Sequence, residues 1–163
     1  YKIVLSYEKK ISIVCIDKDG DLMGFVSGFL EPSEFYKNFF KSKQRLLFPV
    51  LIGIIKNPKL IVKIFFNISR LITNKKNFHK DDYTVELSSI AVAEKSSGIG
   101  SILLNAFIDQ AWNYKAKEII LTTNLHNNEL ANNFYINHGF KKVDLEKRRG
   151  RTLVKYSLAN TQQ

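Results

Sequence analysis

Ser89-Ile90-Ala91-Val92-Ala93-Glu94-Lys95-Ser96-Ser97-Gly98-Ile99-Gly100-Ser101 is the stretch on which the fold turns. Its apolar opening reads as the end of a β-strand. A short polar turn follows, then two glycines one residue apart. From Gly98 to Tyr114, the residues Ile99, Ile102, Leu103, Ala106, Phe107 and Ala111 recur at helical spacing, giving a helix with one stripe toward a core. The first N–H groups of a helix lack intrahelical acceptors, and the helix dipole adds partial positive charge there. Such a turn can receive a phosphate or pyrophosphate, with glycines admitting close approach and Lys95 adding a full charge. A Gly-x-Gly step also serves plain strand–helix packing, so the turn alone leaves both readings open.

Working outward, Ile11–Ile16 and Leu22–Leu30 are apolar and β-branched, separated by Asp17-Lys18-Asp19-Gly20-Asp21. The Asp-Gly step marks a hairpin of two antiparallel strands. Further strands are predicted at Tyr83–Val92, Glu118–Thr123, Phe140–Asp144 and Thr152–Leu158, the last two joined across Lys147–Arg151. A second helix fits Asn128–His138, with Gly139 at the position where helices commonly end. Strand, helix, strand, helix, strand in this order indicates an α/β (α+β) fold with a mixed, partly parallel sheet flanked by helices.

On the second helix Asn128 and Tyr135 lie seven residues apart, hence on one face about two turns apart, with Ala131 between them. A phenol there could hand a proton to a leaving thiolate, and the amide could hold an amide-rich ligand. The bland alternative is that Asn128 caps the helix while Phe134 and Tyr135 fill core.

Together these residues resemble the GNAT superfamily of acetyl-CoA-dependent N-acetyltransferases. Its phosphate-binding motif reads Arg/Gln-x-x-Gly-x-Gly/Ala after a hydrophobic strand, and here Lys95-Ser96-Ser97-Gly98-Ile99-Gly100 follows Ser89–Val92. Its second motif, Asn-x-x-Ala-x-x-Phe/Leu-Tyr-x-x-x-Gly-Phe, is matched by Asn128, Ala131, Phe134, Tyr135, Gly139 and Phe140. The order and separation of the two motifs also agree, across Tyr83 to Leu158. Two departures are a lysine at position 95 and a shorter loop between Val92 and Lys95.

The resemblance implies acetyl transfer from acetyl-CoA to an amine by direct attack, with no covalent enzyme intermediate. It places the acyl and pantetheine part of the cosubstrate along Ile90, Ala91 and Val92. The pyrophosphate would lie on Lys95, Ser96, Ser97, Gly98, Ile99, Gly100 and Ser101. Asn128 would contact the pantetheine arm and Tyr135 would protonate the thiolate. The attacking amine must be neutral, so its proton has to leave. Glu86 stands where some relatives carry a glutamate base, and alternation by two puts it on one face with Ser88, Ile90 and Val92. The opposing readings are a solvated or salt-bridged strand carboxylate, and proton removal by ordered water.

The net charge of +10 is local: residues 33–80 carry eleven Lys or Arg and one acid, Glu34, whereas the remainder holds fourteen of each sign. This segment has Phe35, Phe39 and Phe40 on a short helix within Pro32–Lys43, an apolar run Leu46–Ile55, and a helix over Lys59–Ile72 opened by Asn57-Pro58. Neither apolar run approaches the ~20 residues of a bilayer span. In the family the hairpin leads almost directly into the next strand, and a strand and two helices precede it. One acyltransferase domain over 1–163 is therefore expected, with 32–80 a basic, apolar helical insertion and upstream elements missing. The insertion could be a lid for an anionic acceptor such as a sugar nucleotide, or a peripheral membrane element meeting anionic lipid. It could also be a helical hairpin packed on its own core or on a second subunit in a homodimer, with solvated lysines on the far face, the ordinary case for charged helices and first of the three. The looser resemblance of the insertion to those of acetyltransferases of bacterial surface-glycan synthesis implies an amino-sugar acceptor. A non-catalytic CoA-binding or membrane-surface module is the competing reading.

Cys15 is the sole cysteine, so no intrachain disulfide can form, and a reducing, cytoplasmic setting is expected. His79, His126 and His138 lack metal-site spacing, so no metal is expected. No aromatic-basic motif points to nucleic acid.

Overall fold

In a computed structural model of the chain, the described residues are 8–35, 83–94, 98–148, 150–161. The chain divides into two compact units, Tyr1–Pro32 with Asp82–Gln163, and Ser33–Asp81. The helix within Pro32–Lys43 is described only at residues 32–35, which are helical; the apolar run Leu46–Ile55 and the helix Lys59–Ile72 lie outside the described residues.

The first unit has the order β1 (Lys10–Ile16), β2 (Leu22–Leu30), β3 (Thr84–Val92), α1 (Ile99–Asn113), β4 (Glu118–Asn124), α2 (Glu129–Asn137), β5 (Lys141–Arg148), β6 (Arg151–Ala159). The strands form one sheet in the order β1-β2-β3-β4-β6-β5. Only β3 and β4 pair in parallel; the other neighbours are antiparallel. The mixed sheet with flanking helices agrees with the fold class expected from sequence. The last hairpin is longer than expected: its strands pair out to Arg148 and Arg151, with Gly150 at φ 77° in the turn between them.

The first hairpin turn is held by Asp17, whose Oδ1 accepts the N–H groups of Asp19 and Asp21 at 2.9 Å each. In β2, Gly24 and Gly28 stand where alternation would put inward side chains. A Cβ on Gly24 would lie 3.0 Å from Leu103 Cδ1, and one on Gly28 would lie 2.5 Å from the Phe107 ring and collide with the Glu86 carbonyl. The missing side chains thus let α1 lie directly on the sheet. Its buried stripe is Leu103, Leu104, Phe107 and Ala111. This corrects the predicted stripe at one place: Ile102 is 63% exposed and Leu104 is buried instead. The stripe is centred on Leu103, Phe107 and Ala111, and a step of 100° per residue carries Ile102 off it while Leu104 closes its other edge.

Both α1 and α2 end in a left-handed residue that turns the chain back. After α1, Lys115 takes φ 58°, with Ala116 N–H bonded to Ala111 O and Lys115 N–H to Trp112 O. After α2, Gly139 takes φ 87°, with Phe140 N–H bonded to Tyr135 O and Gly139 N–H to Ile136 O. Both are Schellman closures.

Candidate active site

The site begins where the sheet forks. β3 and β4 pair only at Thr84–Glu118, Val85–Ile119 and Glu86–Ile120. Beyond Glu86 the β2–β3 register skips Ser88, since Ser27 faces Ser89 while Gly28 faces Leu87. That β-bulge bends β3 and increases its twist, and parallel pairing stops at Glu86, two residues before the skipped one. The fork therefore opens toward the carboxyl ends of two parallel strands, the usual ligand position in such sheets.

Along the open edge, direction is set by alternation. Ala93 N–H donates to Met23 O at 2.8 Å, toward β2. Ala91 O also lies toward β2, 2.8 Å from where a Gly24 Cβ would sit. The N–H and C=O groups of Ile90 and Val92 therefore turn to the opposite edge, into the fork, where β4 gives them no partner. Of the three strand residues expected to meet the cosubstrate, Ile90 and Val92 offer backbone groups and Ala91 spends its own on β2.

Gly98 heads α1 at φ 80°, the left-handed region that glycine enters without strain, and open space lies in front of it. Its carbonyl accepts Ser101 N–H at 3.0 Å and Ile102 N–H at 3.2 Å. The N–H groups of Ile99 and Gly100 have no acceptor among the described residues, and no acidic side chain occupies the first turn. Two donors and an uncompensated helix dipole thus face outward at the head of the fork. Lys95, Ser96 and Ser97 lie outside the described residues.

The opposite wall belongs to β4 and α2. Asn128 occupies the N-cap position yet makes no capping bond with its side chain. Its Nδ2 donates instead to Thr123 Oγ1 at 2.8 Å and to Asn124 O at 3.3 Å. Because a carbonyl only accepts, this fixes which end of the carboxamide faces β4 and leaves Oδ1 as a hydrogen-bond acceptor with no donor among the described residues. Simple capping does not describe it.

Tyr135 is only 7% exposed. Its ring meets Phe134 edge-on at 5.5 Å, Phe140 edge-on at 5.9 Å and Tyr156 at 6.0 Å. The Schellman closure at Gly139 folds Phe140 back against Tyr135, which explains physically why Tyr-x-x-x-Gly-Phe forms a unit. The hydroxyl takes no hydrogen bond among the described residues, and no buried side-chain oxygen there lacks a partner; the hydroxyl therefore keeps contact with solvent. Burial pushes the phenol above its ordinary pKa, so it stays protonated at neutral pH. Phe134 joins the two walls, its ring lying 3.6 Å from the point a Gly100 Cβ would occupy.

Glu86 corrects one expectation. Gly24, Val26 and Gly28 of β2 face α1, and their partners are Val92, Ile90 and Leu87. Glu86 pairs with Phe29 and so lies on the other face of the sheet. The bulge inserts one residue and inverts the alternation, so Glu86 does not share a face with Ile90 and Val92. It nevertheless stands at the last β3–β4 pair, at the apex of the fork.

Sequence reasoning missed Asn132. It is 7% exposed, donates to Asn124 O at 3.2 Å and Leu125 O at 3.0 Å, and accepts from the fully buried Tyr156 hydroxyl at 3.1 Å. Its one sequence signal was its place four residues after Asn128, on the same helix face.

Among solved structures, the chain is similar to a Desulfovibrio desulfuricans protein assigned to the GNAT acetyltransferases, with TM-score 0.59, 16% identity, and 93% of this chain and 69% of that one covered. It is also similar to an aminoglycoside 6'-acetyltransferase type Ii, with TM-score 0.59 and 15% identity over 97% of this chain and 73% of that one. A third is the ribosomal-protein-S18-alanine N-acetyltransferase from Escherichia coli, at TM-score 0.58 and 12% identity over 94% of this chain and 71% of that one. These likenesses establish the fold. A search of curated proteins gave no match. The family model for the acetyltransferase (GNAT) family matches residues 2–140, most of the chain and both strands of the fork, and the protein belongs to that family.

Proposed function

We propose that this acetyltransferase uses acetyl-CoA to acetylate a primary amine of a small acceptor by direct attack. The observation that carries the reading is the fork with amides at its head that have no acceptor among the described residues. Ile99 and Gly100 offer N–H groups where a diphosphate would sit, the edge of Ile90 and Val92 can pair with an extended amide chain, and Asn128 Oδ1 can accept from it. Lys95, Ser96, Ser97 and the Ser101 hydroxyl complete the phosphate-binding turn in this reading. The bound cosubstrate supplies an acyl thioester, whose carbonyl carbon a neutral amine attacks as the carbon–sulfur bond breaks.

Tyr135 gives its hydroxyl proton to the departing sulfur, a role for which a phenol that remains protonated is suited. Glu86, at the apex but on the far face of the sheet, takes the proton of the amine. Donor and acceptor then approach from opposite faces, each against its own proton-transfer group. The eleven Lys and Arg of residues 33–80 against one acid favour an anionic acceptor, with a nucleotide-linked amino sugar first in line.

Thiol release from acetyl-CoA, followed across amino-sugar nucleotides, amino acids and polyamines, tests this. Turnover on one class, collapsing in Tyr135→Phe, is the expected result. CoA binding with no turnover on any amine would overturn it. Pelleting with anionic vesicles would move the basic segment from acceptor binding to a membrane surface. Within the described residues no helix is long and apolar enough to cross a membrane.

A further inference from the structure

Where β4 parts from β3, its carbonyls lose their strand partner and something else must satisfy them. Two carboxamides on successive turns of α2 do so: Asn128 and Asn132 both donate to Asn124 O, and Asn132 reaches Leu125 O as well. The other edge of this strand end stays on β6, through Asn124–Leu153 pairing and Leu125 N–H to Thr152 O at 2.9 Å. Asn132 is itself held by the Tyr156 hydroxyl from β6. All of its polar atoms are used within the protein.

We infer that Asn132, oriented by Tyr156, is a positioning residue for acetyl transfer. It locks the splayed end of β4 to α2 and so fixes Asn128 Oδ1 and the Tyr135 ring relative to the fork. The role is indirect, because Asn132 is buried and its donors are spent on Asn124 and Leu125. Three features set it apart from a core polar residue satisfied at random. One of its partners, Asn124 O, is a carbonyl at the end of β4 that has left β3, it shares that carbonyl with Asn128, and Tyr156 also packs on Tyr135. The inference rests on the cosubstrate lying in the fork as proposed above.

Asn132→Asp keeps the shape and the acceptor for Tyr156 but removes both N–H donors. Tyr156→Phe removes only the hydroxyl that orients Asn132. Calorimetric titration of the wild type and both variants with CoA, and with 3'-phospho-ADP as its nucleotide half, separates the outcomes. Loss of hydrogen bonds at the pantetheine wall should weaken CoA binding about tenfold in Asn132→Asp and about threefold in Tyr156→Phe, with the nucleotide half bound as in the wild type. Equal weakening of both ligands, or no change in either, would overturn the positioning role. Should Asn132→Asp not fold, Tyr156→Phe carries the same comparison. A wild type that binds neither ligand would sink the proposed function itself, a result distinct from unaltered variants of a binding-competent protein.

Discussion

The two walls of the fork are built by different means. The β3 wall is made of backbone: a bulge at Ser88, two glycines in β2 that let α1 and β3 approach, and amides of Ile99 and Gly100 without acceptors among the described residues. The β4 wall is made of side chains: Asn128, Asn132, Tyr135 and Tyr156, each with a defined polar or aromatic partner. On the first wall, adding atoms does the damage. On the second, the damage comes from removing them.

The sharpest way to break this contrast is Gly28→Val, because a side chain there meets the Glu86 carbonyl and the Phe107 ring. The expected loss is about 3 kcal/mol, read by urea unfolding, from overpacking against backbone that cannot retreat. A variant as stable as the wild type would show that the close approach is not needed. Next comes Gly98→Glu, which puts a side chain and a negative charge into the space before the amides. CoA at a hundred times its Kd should raise wild-type stability by about 2.7 kcal/mol, and this variant should show no such rise in a thermal scan.

On the side-chain wall, Tyr135→Phe should lower kcat about a hundredfold while leaving CoA affinity and the unfolding midpoint close to wild type. Its hydroxyl also leaves a pH signature. Burial raises the pKa of both Tyr135 and Tyr156. The unfolded chain therefore ionises first, near the ordinary phenol value of about 10. Their stabilising contribution is complete below that pH and declines as pH rises toward the folded values. Unfolding curves taken on the alkaline side should fall less steeply in Tyr135→Phe than in the wild type. The smallest expected effect has the opposite sign and lies outside the fork. Lys115→Gly should stabilise by about 1 kcal/mol, since glycine enters the left-handed region at φ 58° without a Cβ penalty.

The same division explains what the sequence revealed. Gly98, Gly139 and the Asp-Gly hairpin were legible because positive φ restricts which residues can stand there. Asn128 and Tyr135 were legible as a spaced pair, and the helix boundaries fell within a residue of those expected. The bulge at Ser88 was not, since it arises between strands: Gly28 admits the close approach, and no residue within β3 announces the extra position. That single skip misplaced Glu86 by one face. Asn132 escaped notice because a buried carboxamide looks like a solvated one until its partners, eight and seven residues earlier in the chain and twenty-four later, are brought together. Ile102 and Leu104 show the same limit at smaller scale, since an apolar helix offers more than one stripe and the sheet selects among them.

The short parallel seam has a mechanical consequence. With only three residue pairs joining β3 to β4, the sheet is a ladder with its upper rungs missing, and any extended ligand that bonds to Ile90 and Val92 supplies them. Occupancy should then be visible in the backbone of the strand itself, as slower amide hydrogen exchange along residues 87–92. In this respect the cosubstrate would act as a temporary seventh strand, completing the architecture each time the enzyme is loaded and leaving it unfinished between turnovers.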